Sequence, residues 1–230
     1  MKKIILISVL TFVILLSQSS CKKDNNNDTN EPQNIYQSSL VNPTLEELQI
    51  FYEQGYDVIN GSVVLRDIDE LINMLALSNI ITIKGALKII SNSTLISLEG
   101  LSNLTSVGGS LTIEINNALT NLDGLSNLTS VGGSLSIESN ISLTNLDGLS
   151  NLTSVGGSLL IEDNWELTNL DGLSNLTSVG GSLSIETNNV LSDLCGIRNI
   201  LTNGSHGNVI IQYNLFNPTV IDIIAGNCSQ

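Results

Sequence analysis

Residues 100–123 read GLSNLTSVGGSLTIEINNALTNLD, and the stretches beginning at Gly124, Gly148 and Gly172 repeat them almost letter for letter, each 24 residues after the last. Within one copy, Ser110-Leu111-Thr112-Ile113-Glu114 alternates polar and apolar residues, the period of a half-buried strand. The same alternation recurs at Leu135/Ile137, Leu159/Ile161 and Leu183/Ile185. Leu119, Leu122, Leu125, Leu128 and Val131 then follow in steps of three. An α-helix turns by about 100° per residue, so a strict three-residue step drifts by about 60° and smears these groups around the helix. Asp123-Gly124 and Gly132-Gly133 also break helices. A winding chain of short extended pieces and turns places all five inside, and that is one coil of a solenoid.

Working outward, a weaker copy begins at Ala76 (ALSNIITIKGAL), a degenerate one surrounds Gly61, and a last one starts at Gly196 with a small insertion before Val209. The expectation is a mainly β, parallel β-solenoid of about seven 24-residue coils over residues 58–215. One coil buries too few aliphatic side chains to offset the entropy of ordering its backbone, so the coils must stack. Asn92, Asn116, Asn140, Asn164, Asn188 and Asn214 hold one equivalent position, an inward asparagine ladder whose amides satisfy turn backbone groups. Solenoid ends need lids. Residues 42–57 are read as an N-terminal cap, with Thr44…Glu47 spaced as a capping box and Leu45, Leu48, Ile50, Phe51 and Tyr52 covering the first coil. Residues 216–230 are read as the C-terminal cap, a short helix opened by Asn217-Pro218-Thr219 and stopped at Gly226.

Ahead of the repeats, Lys2 and Lys3 precede an apolar run from Ile4 to Leu16, then Ser19-Ser20-Cys21. Residues 1–20 are expected to be a signal peptide, the run being short for a bilayer span. Ser-Ser-Cys resembles a bacterial lipobox, which implies lipidation of Cys21. Gln18 stands where such motifs carry Leu or Ile, and ordinary cleavage leaving Cys21 as a thiol is the alternative. Residues 21–41, polar and Asn-rich, are expected to be a flexible tether. Export with a lipid anchor in an outer membrane, facing the cell exterior, follows as an expectation.

The pattern GLxNLxxVGGxLxIxxNxxLxxLxGL resembles the receptor L domain, a relative of leucine-rich repeats, over about residues 58–215. That resemblance implies a non-catalytic ligand-binding module. It carries over no ligand residue, because the copies here are nearly identical and no cysteine-rich module adjoins them.

Charge and composition narrow the partner. A formal net charge of −14 and the absence of any Lys or Arg from Ile89 to Ile197 argue against nucleic acid. His206 is the sole histidine, in an Asn-Gly-Ser-His-Gly insertion, so no familiar zinc set is evident, and the stretch without Lys or Arg lacks the charge clamp of a sugar-cleaving β-helix. No enzyme and no cofactor is implied. Glu114, Glu138, Glu162 and Glu186 form an outward column, and carboxylates about 4.8 Å apart repel by roughly 0.9 kcal/mol in water. Asp123, Asp147 and Asp171 form a second column. Either is a weak candidate for a divalent cation or a cationic partner, or a solvated face that keeps the repeats soluble. After the ladder asparagines the sequence varies, with Ile141 followed one coil later by Trp165, the only Trp, and with outward Leu160 nearby. These three are the candidate ligand-binding residues, for an unknown protein or polysaccharide. Cys195 and Cys228 are either a disulfide stapling the C-terminal lid, which an exported compartment permits, or two separate thiols. A structural spacer without a ligand is the alternative function, and an ice-binding solenoid a further one.

Overall fold

The computed structural model describes residues 33–67 and 74–230. The stretch expected to be a signal peptide, Cys21 and the start of the expected tether lie outside the described residues.

Each coil contributes a short strand to one parallel sheet and a longer strand to a second. The seven-stranded sheet runs β1 (Ile35–Tyr36), β3 (Val58–Ile59), β5 (Thr82–Ile83), β7 (Ser106–Val107), β9 (Ser130–Val131), β11 (Ser154–Val155) and β13 (Ser178–Val179). The eight-stranded sheet runs β2 (Leu40–Val41), β4 (Val63–Arg66), β6 (Leu87–Ile90), β8 (Leu111–Glu114), β10 (Leu135–Glu138), β12 (Leu159–Glu162), β14 (Leu183–Glu186) and β15 (Val209–Gln212). Register follows the repeat: Leu111 pairs with Leu135, Leu135 with Leu159, and Leu159 with Leu183. The insertion falls in the turn before β15, so Leu183 still pairs with Val209. This is the parallel β-solenoid that the repeat implies.

The third side of the coil explains the three-residue step. Asp123–Leu125, Asp147–Leu149 and Asp171–Leu173 are 3₁₀ turns, as are Glu99–Leu101 and Cys195–Ile197. Leu125 N–H donates to Leu122 C=O at 2.8 Å, and Leu128 N–H to Leu125 C=O at 2.8 Å. Three residues per turn holds Leu122, Leu125 and Leu128 on one line, and all three are buried. The glycine in this turn is required by the stacking distance rather than by its own dihedrals. A Cβ on Gly148 would stand 1.9 Å from the carbonyl oxygen of Leu122 in the preceding coil.

Residues 58–215 hold seven long strands, β4 to β15, as the repeat implies, and among the described residues a further rung precedes them. The tether expected over 21–41 gives way to structure by residue 35, where β1 pairs with β3 and β2 with β4. Two-residue strands need no core of their own when a finished coil offers them an open edge. Helix α1 (Leu45–Glu53) is therefore the third side of this first coil as well as its lid. Its Thr44/Glu47 capping box forms. Leu48 and Phe51 are buried, Phe51 meeting Tyr36 at 5.2 Å and Tyr56 at 5.1 Å between ring centroids. Leu45 and Ile50, expected to help cover the coil, are exposed, because the helix turns only one stripe inward.

At the other end α2 (Arg198–Asn203) and α3 (Val220–Ala225) close the stack. Thr219 and Asp222 form a capping box at the start of α3, and Gly226, at φ 93°, ends it in the left-handed region. Cys195 and Cys228 are bonded, which ties the segment after α3 to the last 3₁₀ turn. One continuous apolar core runs from Leu40 to Cys228.

Candidate functional site

The surface that varies between coils is the turn that follows each long strand. It is built in three steps. The residue after the strand adopts a left-handed conformation: Ser91, Ile115, Ser139, Asp163, Thr187 and Tyr213 all have φ between 54° and 59°. That turn swings the next residue inward, and it is always the ladder asparagine: Asn92, Asn116, Asn140, Asn164, Asn188 and Asn214 are buried. The residue after the asparagine then emerges again.

The ladder fixes this turn. Asn164 Nδ2 donates to Ile137 C=O at 2.9 Å and Glu162 C=O at 3.0 Å. Asn164 Oδ1 accepts from the backbone N–H of Asn140 at 3.2 Å. The series ends on Asn217, whose Oδ1 accepts from Asn214 N–H at 2.9 Å; the sequence marked this residue only as an opener of the C-terminal helix, because it stands outside the 24-residue register.

On this rigid edge Trp165 is 50% exposed, Ile141 37% and Ile115 41%. Ile141 and Trp165 hold the same turn position in neighbouring coils, one rung of about 4.8 Å apart. Leu160 stands instead on the sheet face, half-buried, in register between Ser136 and Ser184. Ile115, in the left-handed position itself, was not singled out from sequence; an isoleucine where the other coils have Ser, Asp, Thr or Tyr is the signal that marks it.

Beside the edge, Glu114, Glu138, Glu162 and Glu186 pair in register at the ends of β8, β10, β12 and β14. Burial pushes the Glu162 carboxyl up from its ordinary value, and repulsion from Asp163, Glu186 and Glu138 adds to it. Hydrogen bonds from the Ser184 hydroxyl and then the Gln212 amide hold Glu186 down. Asp171 in the other column is raised by burial and by Asp193 and Asp147. The glutamates do not converge: no group of three or more His, Cys, Asp or Glu able to hold a metal ion exists among the described residues. Even spacing along parallel strands keeps each carboxylate a full rung from the next.

Elsewhere the repeated polar residues are tied coil to coil. Asn127 Nδ2 donates to Ser102 C=O at 2.7 Å and Thr129 Oγ1 to Thr105 C=O at 3.0 Å, so the Asn-Leu-Thr triplets have a packing role. His206 Nδ1 faces the Gly207 carbonyl at 2.9 Å. Recesses lie around Arg198, Asn199 and Thr202 and around Tyr36, Phe51 and Tyr56, and neither includes Trp165, Ile141 or Ile115.

These features define a class: a parallel repeat solenoid with an open, rigid, apolar-and-acidic edge. Residues 105–203 match the family model of the receptor L domain, so this stretch is receptor L domain-like, and that domain is of a binding rather than a catalytic type. No curated protein and no solved structure matches the chain.

Proposed function

We propose that the protein is an exported, lipid-anchored, non-catalytic binding module that presents the edge around Trp165 and Ile141 to a macromolecular partner, protein or polysaccharide, outside the cell. The observation that carries this reading is the half-exposed Trp165 beside Ile141 on a turn held by the ladder. An aromatic side chain has few rotatable bonds and loses little entropy on binding, and such residues dominate interface energetics. The receptor L domain-like match supports a binding role. The lipobox-like Ser-Ser-Cys21 supports the anchor.

Intact cells treated with external protease, together with mass-labelled lipid at Cys21, test the location. Lipid on Cys21 with rapid cleavage is the expected result; a lipidated but protected protein belongs to the periplasm. A second reading, a spacer without a ligand, is favoured by the near-identity of the copies. It predicts that Trp165→Ser with Ile141→Ser leaves every binding and surface phenotype unchanged.

A further inference from the structure

Three exposed apolar side chains, Ile115, Ile141 and Trp165, occupy the turn edge of three consecutive coils. Ile141 and Trp165 follow a left-handed residue and a ladder asparagine, and Ile115 is itself the left-handed residue before Asn116. Charge decides what suits this edge. Glu114, Glu138, Glu162 and Glu186 end the strands that lead into it, and Asp163 and Glu166 flank Trp165 in sequence. From Ile89 to Ile197 the chain supplies no Lys or Arg to neutralise them. Arg198, the next cation, donates from Nε and Nη2 to the Ile224 carbonyl at the end of α3.

We propose that this edge docks a cationic protein segment, a stretch in which Lys or Arg stands beside apolar residues. The proposal rests on the edge being a recognition surface. A partner that covers Trp165 also strips water from the neighbouring glutamates, and a neutral one leaves that cost uncompensated. A segment with ammonium or guanidinium groups supplies the missing charge, and its cations also gain from the face of the indole. A nucleic acid is repelled by the same column. A lone divalent ion finds no convergent set of ligands there.

Trp165 is the only tryptophan, so its emission reads this edge directly in the full chain. The probe is a fluorescein-labelled peptide of alternating Lys and Leu; a Glu-Leu peptide of equal length and soluble dextran are the comparisons. The Lys-Leu peptide is expected to bind, to shift Trp165 emission and to weaken with added salt. Trp165→Ser is expected to weaken binding by about thirtyfold, followed by peptide anisotropy. Glu138→Gln with Glu162→Gln is expected to weaken it by roughly tenfold. Asp123→Asn with Asp147→Asn removes the same charge from the exposed 3₁₀ side and is expected to change it by less than about twofold. Trp165, Asp123 and Asp147 are exposed and Glu138 and Glu162 half-buried, and circular dichroism checks that each variant is folded. Equal losses from the two charge pairs, or binding indifferent to Trp165→Ser, would mean diffuse attraction and overturn the proposal. A response of Trp165 to dextran and not to Lys-Leu overturns the cationic partner while leaving the recognition edge standing. Silence toward every probe overturns both.

Discussion

Ile115 holds a backbone conformation that its side chain resists. Its φ is 55°, in the left-handed region, and a branched β-carbon there crowds the following carbonyl. The strain is of the order of 1–2 kcal/mol, so Ile115→Gly is expected to stabilise the fold by about 1 kcal/mol after the added chain entropy of glycine. Chemical denaturation checks this; a less stable variant would show that the exposed isoleucine is packing rather than merely tolerated. Glu162 carries a second local tension. Its folded-state pKa is raised, first by burial and then by Asp163, Glu186 and Glu138. The folded chain therefore holds this proton more tightly than the unfolded chain does. Stability from this group falls as pH rises from the ordinary Glu value through the raised one, and the deficit persists above it. Glu162→Gln is expected to raise the melting temperature at neutral pH and to leave it unchanged below the carboxylate range. An unchanged melting temperature at neutral pH would remove the effect. Glu186, held down by Ser184 and Gln212, has the opposite sign: its contribution is present above the ordinary Glu value and is lost as pH falls through the lowered one.

At the scale of the coil, the asparagine ladder and the 3₁₀ turn do different jobs. The turn lines up leucines; the ladder closes the hydrogen bonds that the left-handed residue leaves open. Asn140→Ala strands Asn116 N–H, which donates to Asn140 Oδ1 at 3.1 Å, and takes one donor from the carbonyls of Ile113 and Glu138, the latter keeping the Ile115 N–H at 3.1 Å. Each buried group left unpaired costs about 1–3 kcal/mol. Thermal unfolding of Asn140→Ala is expected to show a loss larger than that of Ser136→Ala on the open face of the same coil. The ladder was legible in sequence because Asn recurs at one position among aliphatics, and so was the Leu111/Ile113 alternation. The first coil was not. Ile35, Tyr36, Leu40 and Val41 sit in a polar context with no periodicity, and only the exposed edges of β3 and β4 make strands of them. On the candidate edge, Trp165 and Ile141 were legible as departures from the repeat. Ile115 needed the left-handed φ to show what was unusual about it.

For the whole molecule, burial is uneven along the axis. Leu183 and Ile185 are fully buried, whereas Val209 and Ile211, their counterparts in the last rung, are half-buried. The Cys195–Cys228 bond closes a separation of 33 residues around this weaker end. Replacing both cysteines by serine is expected to lower stability by about 2–4 kcal/mol. Hydrogen exchange should locate the loss, with β15 and α3 exchanging first and β8 to β12 last; uniform exchange along the chain would show that the bond does not act locally. The inner rungs have a further property. The packing of Gly148 on Leu122 is the packing of Gly172 on Leu146, so the seam between any two central coils is the same seam. Excising residues 124–147 leaves every remaining coil with a neighbour it already fits, and duplicating them does the same. Length in this protein is a countable quantity, adjustable by recombination within the gene in whole rungs, with both ends carried along unaltered.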